Sequence, residues 1–173
     1  MDAHEFLHAF AAGRTDFSGE DLRAIKLKNA HLDGIILAGA NLADADLSGS
    51  GLFGADLHGA ILNRAHLGIV HNGQVDPNLD DIDIEMGCTN LAKANLSGTF
   101  LVDAQMFAVN LKDADLRYAN LNGAHLRDAY LIGANFTGAS LHHTDLTGAH
   151  VEPETLKEAD TLNAILDDLV VQE

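Results

Sequence analysis

Residues 40–49 read ANLADADLSG, one five-residue pattern written twice: a small residue, Asn or Asp, Leu, and two variable positions. This spacing extends in both directions along most of the chain, with Leu, Phe, Met or Val at the centre of each repeat. There are 25 centres, of which 20 are Leu, and 15 of the residues two places before a centre are Ala. A fixed internal period predicts a repeat architecture. The centres are Phe17, Leu22, Leu27, Leu32, Leu37, Leu42, Leu47, Leu52, Leu57, Leu62, Leu67, Met86, Leu91, Leu96, Leu101, Met106, Leu111, Leu116, Leu121, Leu126, Leu131, Phe136, Leu141, Leu146 and Val151.

The period of five matches neither the 3.6-residue period of a helix nor the two-residue period of a strand. A helix would scatter the centres around its axis, because five residues rotate it by about 500°. In a short extended segment, the centre and the small residue two places before it share one face. The chain must therefore turn once per repeat to keep each pair inside. Gly often stands two places after the centre, which we call the corner position, and Gly there permits a positive φ.

Three triplets carry a family resemblance: Ala40-Asn41-Leu42, Ala45-Asp46-Leu47 and Ala114-Asp115-Leu116 match the motif A(D/N)LXX. The chain resembles the pentapeptide repeat family over about residues 15–67 and 86–151. Residues 11–17 resemble the lead-in of cyanobacterial members of that family. The resemblance implies an all-β solenoid, a right-handed quadrilateral β-helix with four repeats per coil.

Both ends of such a solenoid need a cap, because an open end exposes the core. Asp2 and Glu5 form the D-x-x-E pattern of a capping box, which predicts a short N-terminal helix. Phe6, Leu7 and Phe10 would give that helix an apolar face able to cover the first coil.

At the other end, apolar residues recur at spacings of three and four, which is typical of an amphipathic helix. They are Leu156, Ala159, Leu162, Ile165, Leu166 and Leu169. This C-terminal helix would cover the last coil, form the contact of a homodimer, or do both. The chain is thus expected to be one domain, divided as follows: N-terminal capping helix 1–14, first repeat block 15–67, acidic interrupting loop 68–85, second repeat block 86–151 and C-terminal amphipathic helix 152–173.

The net charge of −16 is concentrated outside the repeats. Residues 16–67 carry a net charge of −3 and residues 86–151 a net charge of −1. By contrast, residues 68–85 hold five acids and no base, and residues 152–173 carry a net charge of −6. No run of 18 apolar residues is present, so we expect no membrane-spanning helix. The acidic start and the single cysteine, Cys88, favour a cytoplasmic location.

Sites for chemistry are weakly supported by the sequence. Asp76, Asn78 and Asp80 occupy positions 1, 3 and 5 of an EF-hand-like pattern. Position 6 is Asp81 rather than Gly, and position 12 is Gly87 rather than Glu, so a calcium loop is not supported. Inward positions filled by Leu and Ala leave no pocket in which the pKa of a catalytic group could be tuned. We therefore expect no enzyme, no metal site and no cofactor.

Apolar residues at outward positions favour an interaction surface. The candidates are Phe53, Phe100, Val102, Phe107, Tyr118 and Tyr130 from the repeats, and Asp76, Asp80, Asp81, Asp83 and Glu85 from the loop. Phe100, Val102 and Phe107 follow the interruption, so we expect the loop to fold back over these three side chains.

The function that these features favour is a non-enzymatic, rod-like scaffold that binds a protein partner, without direct contact to nucleic acid or membrane. The family resemblance implies an alternative, a DNA-mimicking regulator or protector of DNA gyrase, which the acidic total fits. The nearly neutral repeats count against it, because mimicry requires phosphate-like charge along the rod. A third hypothesis, cation binding by segment 76–85, rests on its acidic residues alone.

Overall fold

The computed structural model describes residues 1–68, 88–152 and 154–171. In these ranges it contains the helix α1 (Ala3–Ala11) and two short parallel strands, β1 (His150–Val151) and β2 (Val170–Val171). No helix in the described ranges is long and apolar enough to cross a membrane. The rest of the described chain is held together by isolated parallel bridges rather than by extended strands. It therefore contains much less regular sheet than the expected all-β description implies.

Except at the interruption, the bridges join residues twenty positions apart, as in Asp21 with Asn41, so four pentapeptides complete one coil. The bridged residues form four columns along the stack, and each of them directly precedes the centre of its repeat. We call a column, together with the centre and the two following residues of each of its repeats, a face. Column 1 contains Asp21, Asn41, Ile61, Phe100, Asn120, Ser140 and Asp160; column 2, Lys26, Asp46, His66, Gln105, His125, Asp145 and Ile165; column 3, His31, Gly51, Asn90, Asn110, Tyr130, His150 and Val170; column 4, Asp16, Ile36, Asp56, Asn95, Asp115 and Asn135.

Apart from the interruption and the irregular stretch after Val151, each described corner is a tight turn with a positive φ. In the repeat centred on Leu22, the N–H of Ile25 donates to the Leu22 carbonyl at 3.2 Å, and Ala24 at the corner has φ 55°. The Ala24 N–H donates to the carbonyl of Ala43 in the next coil at 2.9 Å, so the turn also joins neighbouring coils. Column residues support the corners through their side chains, as when Asp115 Oδ1 accepts from the Arg117 N–H at 3.1 Å. The expected positive φ at the corner position is confirmed.

The centres form one continuous core. Every described centre from Phe17 to Val151 is at most 4% exposed. The small residues two places before the centres fill the space between them, and the resulting apolar cluster extends from Phe6 to Val151. Because each coil covers the centres of its neighbours, the interior is packed throughout its length.

Helix α1 closes the N-terminal end of this core. Asp2 and Glu5 form the expected capping box. The helix ends in a Schellman arrangement, in which the N–H groups of Gly13 and Arg14 donate to the carbonyls of Phe10 and Ala9. Gly13 has φ 95°, a conformation that glycine adopts without strain.

The residues through which the helix packs on the core differ in part from those expected. Phe6 is fully buried, and Phe10 packs against the core while remaining partly exposed. Leu7 is 41% exposed, so its predicted place on the capping face is wrong. In a helix, residue 7 is rotated by about 100° from residue 6, so its side chain projects away from the contact that Phe6 makes.

The interruption lies inside a single pentapeptide. His66 bridges to Gln105 and Gly51 to Asn90, both at an offset of 39, which is one coil of twenty plus nineteen residues. Gly68 and Cys88 thus occupy successive positions of one repeat, and the nineteen residues between them lie outside the described ranges. These include the predicted centre Met86 and most of the predicted loop 68–85. At this corner the Gly49 N–H donates to the hydroxyl of Thr89 at 3.1 Å instead of to a backbone carbonyl.

The predicted C-terminal helix within residues 152–173 is wrong for the described residues 154–171. After an irregular stretch, the chain resumes the coil: Asp160 bridges to Ser140, Ile165 bridges to Asp145, and β2 pairs with β1. The physical reason is that the preceding coil has unsatisfied backbone N–H and C=O groups. A further coil can form hydrogen bonds with these groups, whereas a helix uses its own backbone groups internally. Leu156, Ala159 and Leu169 of the predicted stripe pack against the core from this coil.

Candidate interaction surfaces

A shallow cleft of about 270 Å³ lies beside the irregular stretch that precedes the last coil. Its polar groups are already bonded to one another: the Gly133 N–H donates to Glu152 Oε2 at 3.3 Å, and Thr137 Oγ1 donates to Glu158 Oε2 at 3.1 Å. These carboxylates stabilise the corner at which the chain departs from the regular coil. The residues around the cleft are Gly133, Ala134, Asn135, Phe136, Thr137, Glu152, Glu154, Thr155, Lys157 and Glu158.

The part of the chain that the structure describes contains no cluster of metal-binding side chains. There, no three His, Cys, Asp or Glu side chains lie together in a way that could hold an ion. The EF-hand-like residues Asp76, Asn78 and Asp80 lie outside the described ranges.

The predicted aromatic surface is divided among different faces. Tyr118 is 72% exposed at a corner of face 4, Phe100 is 46% exposed on face 1, and Phe53 is 44% exposed on face 3. Lys93 Nζ lies 5.6 Å from the centroid of the Phe53 ring, within the range of a cation–π contact. The three most exposed candidates are thus separate contact points and do not form one patch.

The other predicted aromatic and aliphatic residues are less exposed to a partner. Tyr130 is half-buried and stacks on His150, with ring centroids 4.5 Å apart. Val102 and Phe107 are also half-buried, and the Val102 N–H donates to Asn63 Oδ1 at 3.0 Å. The acidic candidates Asp76, Asp80, Asp81, Asp83 and Glu85, and the expected folding of the loop over the aromatic residues, lie outside the described residues.

Carboxylates on the coils are paired with arginines of the same protein. Arg64 binds Asp44 of the preceding coil through two hydrogen bonds of 2.8 and 2.7 Å. Within single repeats, Arg23 pairs with Asp21 and Arg117 with Asp115. The hydrogen bonds from Arg23 lower the pKa of Asp21 to about 2. Such pairs neutralise the rod locally, in agreement with its small net charge.

A further exposed apolar surface lies at the C-terminal end, where the sequence analysis expected an amphipathic helix. Five large apolar residues between positions 162 and 171 are at least 40% exposed: Leu162, Ile165, Leu166, Val170 and Val171. Leu166 and Val171 continue the five-residue series of centres, with Ala164 and Leu169 two places before them. The five-residue series could have predicted another coil here, but the three- and four-residue spacing of the apolar residues favoured a helix instead.

Comparisons with known proteins agree with the repeat pattern. A family model described as pentapeptide repeats matches residues 15–52, 85–117 and 110–148, in eight copies, which together cover more than half of the chain. No curated protein matches the chain in sequence.

Several solved structures are similar along nearly their whole length. HetL, a pentapeptide repeat protein involved in heterocyst differentiation regulation from the cyanobacterium Nostoc sp. strain PCC 7120, is 23% identical; the match covers 98% of this chain and 94% of HetL, with a TM-score of 0.35. Rfr23, a pentapeptide repeat protein from the cyanobacterium Cyanothece 51142, is 21% identical over 98% of this chain and 100% of its own, with a TM-score of 0.40. QnrB1, a plasmid-mediated fluoroquinolone resistance protein, is 14% identical over 91% and 92%, with a TM-score of 0.38.

Proposed function

The chain belongs to the pentapeptide repeat family, and on that premise we propose that it is a non-enzymatic, rod-like scaffold that binds a partner protein. We further propose that it is wound as a right-handed β-helix. The observation that supports the scaffold role most directly is the filled core, since every described centre from Phe17 to Val151 is at most 4% exposed. An interior of that kind gives a rigid support, so recognition is left to the outward side chains and the ends.

We propose Tyr118, Phe100 and Phe53 as contact residues on the sides of the rod. Exposed aromatic rings give large contact areas at a low cost in side-chain entropy, and they are enriched at the energetic centres of interfaces. Because they point from different faces, a single globular partner would engage one of them at a time. The lone cysteine excludes an intramolecular disulfide, which fits the cytoplasmic location that we propose.

The alternative role as a DNA mimic acting on gyrase receives less support. A protein that imitates a phosphate backbone needs unpaired carboxylates along the rod. Asp21, Asp44 and Asp115 instead form ion pairs with arginines at 2.6 to 2.7 Å. We expect no change in DNA supercoiling by gyrase when the protein is added, and an effect that disappears at high salt would favour the mimic instead.

Site-directed photo-crosslinking tests the scaffold role. A benzophenone amino acid is placed at Tyr118, Phe100 or Phe53 in separate full-length proteins, with Lys112 as an exposed polar control position. After irradiation in an extract of the native host, we expect one of the three aromatic positions to yield a discrete protein adduct that the control position does not. Identical adducts at all four positions, or none at any of them, would contradict a role for the aromatic residues.

A further inference from the structure

The two ends of the core differ. Helix α1 covers the N-terminal end, where Phe6 and Phe17 are both fully buried. At the C-terminal end, no described residue stacks on the last coil. The effect is seen by comparing equivalent centres: Leu146 is 0% exposed, whereas Leu166, one coil later, is 40% exposed. We call residues 159–171 the open end.

The backbone of the open end has unused hydrogen-bonding groups. The N–H groups of Leu141 and Leu146 donate to the carbonyls of Asp160 and Ile165 in the next coil. The corresponding N–H groups one coil later are without an acceptor among the described residues; they belong to Thr161, Asn163, Leu166 and Asp168. The carbonyls of Ala139, Thr144 and Ala149 accept hydrogen bonds from the last coil. The equivalent carbonyls one coil later have no donor in the described chain; they belong to Ala159, Ala164 and Leu169. Alternating donors and acceptors of this kind are the edge to which an extended chain adds.

The charge around this edge restricts what can add to it. The described part of the final segment, residues 152 and 154–171, has a net charge of −5, from six acids and Lys157. All six acids are exposed: Glu152, Glu154, Glu158, Asp160, Asp167 and Asp168. A second copy of the chain would bring the same charge to the contact, and like charges facing each other oppose association. A basic partner would gain from it.

We propose that the open end binds an extended, basic and apolar segment of a partner protein, which adds as a further strand to face 2 of the last coil, where the Ala164 carbonyl and the N–H groups of Leu166 and Asp168 have no partner among the described residues. This inference rests on the proposed scaffold function and gives it a location. Side chains alternate between two sides of an extended segment. An apolar side chain on one side would cover Leu166, and Lys or Arg on the other would lie near the exposed Asp167 and Asp168 of the same face.

Fluorescence anisotropy with the full-length protein provides the test. The probe is a short labelled peptide in which Lys alternates with Val and Ile, and the control peptide carries Glu in place of Lys. We expect the Lys peptide to bind, more weakly as salt is raised, and the Glu peptide not to bind. Leu166→Asp should raise the Kd about tenfold or more, whereas Leu7→Asp, equally exposed but in α1 at the opposite end of the core, should leave it unchanged.

A backbone variant separates edge pairing from simple apolar contact. Leu166→Pro removes an N–H group that makes no bond within the described chain, whereas Leu166→Ala keeps that group and truncates the side chain. Both variants should keep the fold, and peptide affinity should fall further for Leu166→Pro. Circular dichroism and the melting temperature establish that each variant is folded.

Three results would overturn the proposal: no binding of the Lys peptide, equal binding of the Glu peptide, or an unchanged Kd for Leu166→Asp. Sedimentation velocity adds a fourth, because a dimer abolished by Leu166→Asp would identify a second copy as the occupant. If the peptide fails to bind while an aromatic position still gives a discrete crosslink, the scaffold function stands and only this location is wrong.

Discussion

The ring of Phe6 in α1 packs on the ring of Phe17, the first centre of the coils, with centroids 4.3 Å apart. Both side chains are fully buried. The Arg14 guanidinium lies 4.3 Å from the Phe17 ring centroid and pairs with Glu20 at 2.5 Å. This aromatic contact, with a charged group at its margin, is therefore the most deeply buried attachment of the helix to the coils.

This contact should make Phe6 the main stabilising residue of the helix. Phe6→Ala is expected to lower the free energy of unfolding by about 3–5 kcal/mol, the usual cost of removing a buried Phe. Leu7→Ala, next to it but 41% exposed, should change stability by about 0.5 kcal/mol or less. Urea unfolding followed by circular dichroism measures both, and equal effects would show that the helix does not cap the core through Phe6.

Centres in the middle of the stack should dominate global stability. Leu121 is fully buried, so Leu121→Ala should cost about 2–5 kcal/mol. Lys112→Ala is the suitable surface control. The outward neighbour Asn122 is not, because its Oδ1 accepts from Ser140 Oγ at 2.6 Å and from the His142 N–H at 3.0 Å. Melting temperatures that fall equally for Leu121→Ala and Lys112→Ala would contradict the assigned register.

Two substitutions at corner positions should change stability in opposite directions. Ala24 has φ 55°, so Ala24→Gly should relieve strain and stabilise the protein by up to about 1 kcal/mol. Gly39 has φ 64°, and a Cβ there would meet no atom within 4 Å. Gly39→Ala should therefore destabilise by about 1–2 kcal/mol through backbone conformation alone. Thermal unfolding in which both variants shift in the same direction would exclude this explanation.

The ion pair of Asp115 should contribute to acid sensitivity. The hydrogen bond from Arg117 lowers the pKa of Asp115, so the charged carboxylate stabilises the folded state above its unfolded-state pKa of about 4. This contribution is lost as the pH falls below that value. Asp115→Asn retains the turn acceptor, as Asn135 does for the Thr137 N–H, but removes the charge.

The variant should accordingly be less stable than the native protein at neutral pH and should lose less stability between about pH 5 and pH 2. Urea midpoints across that range measure the difference. Arg117→Gln is expected to flatten the same part of the profile, and a slope unchanged by both variants would show that the pair does not contribute.

Much of the coil was predictable because its period is written in every repeat. Leu121 is inward and Gly39 is at a corner for reasons that local spacing contains: two residues of an extended segment share a face, and a turn must follow. The N-terminal helix was predictable from Asp2 and Glu5, whose capping contacts lie within three residues of one another. Leu7 was misplaced because its apolar side chain does not reveal which side of the helix meets the core.

The sequence by itself determined the repeat, the turn at each corner, the capping box and the existence of an interruption, since all of these depend on residues close together in the chain. Only the tertiary structure decided that Gly68 and Cys88 belong to one repeat, because that depends on how coils align across nineteen residues. It likewise decided that the C-terminal leucines form another coil, since hydrogen bonds from the coil centred on Leu141 and Leu146 select an extended backbone over a helix. The open end follows from this choice, because the last coil, unlike a covering helix, has backbone groups without a partner among the described residues.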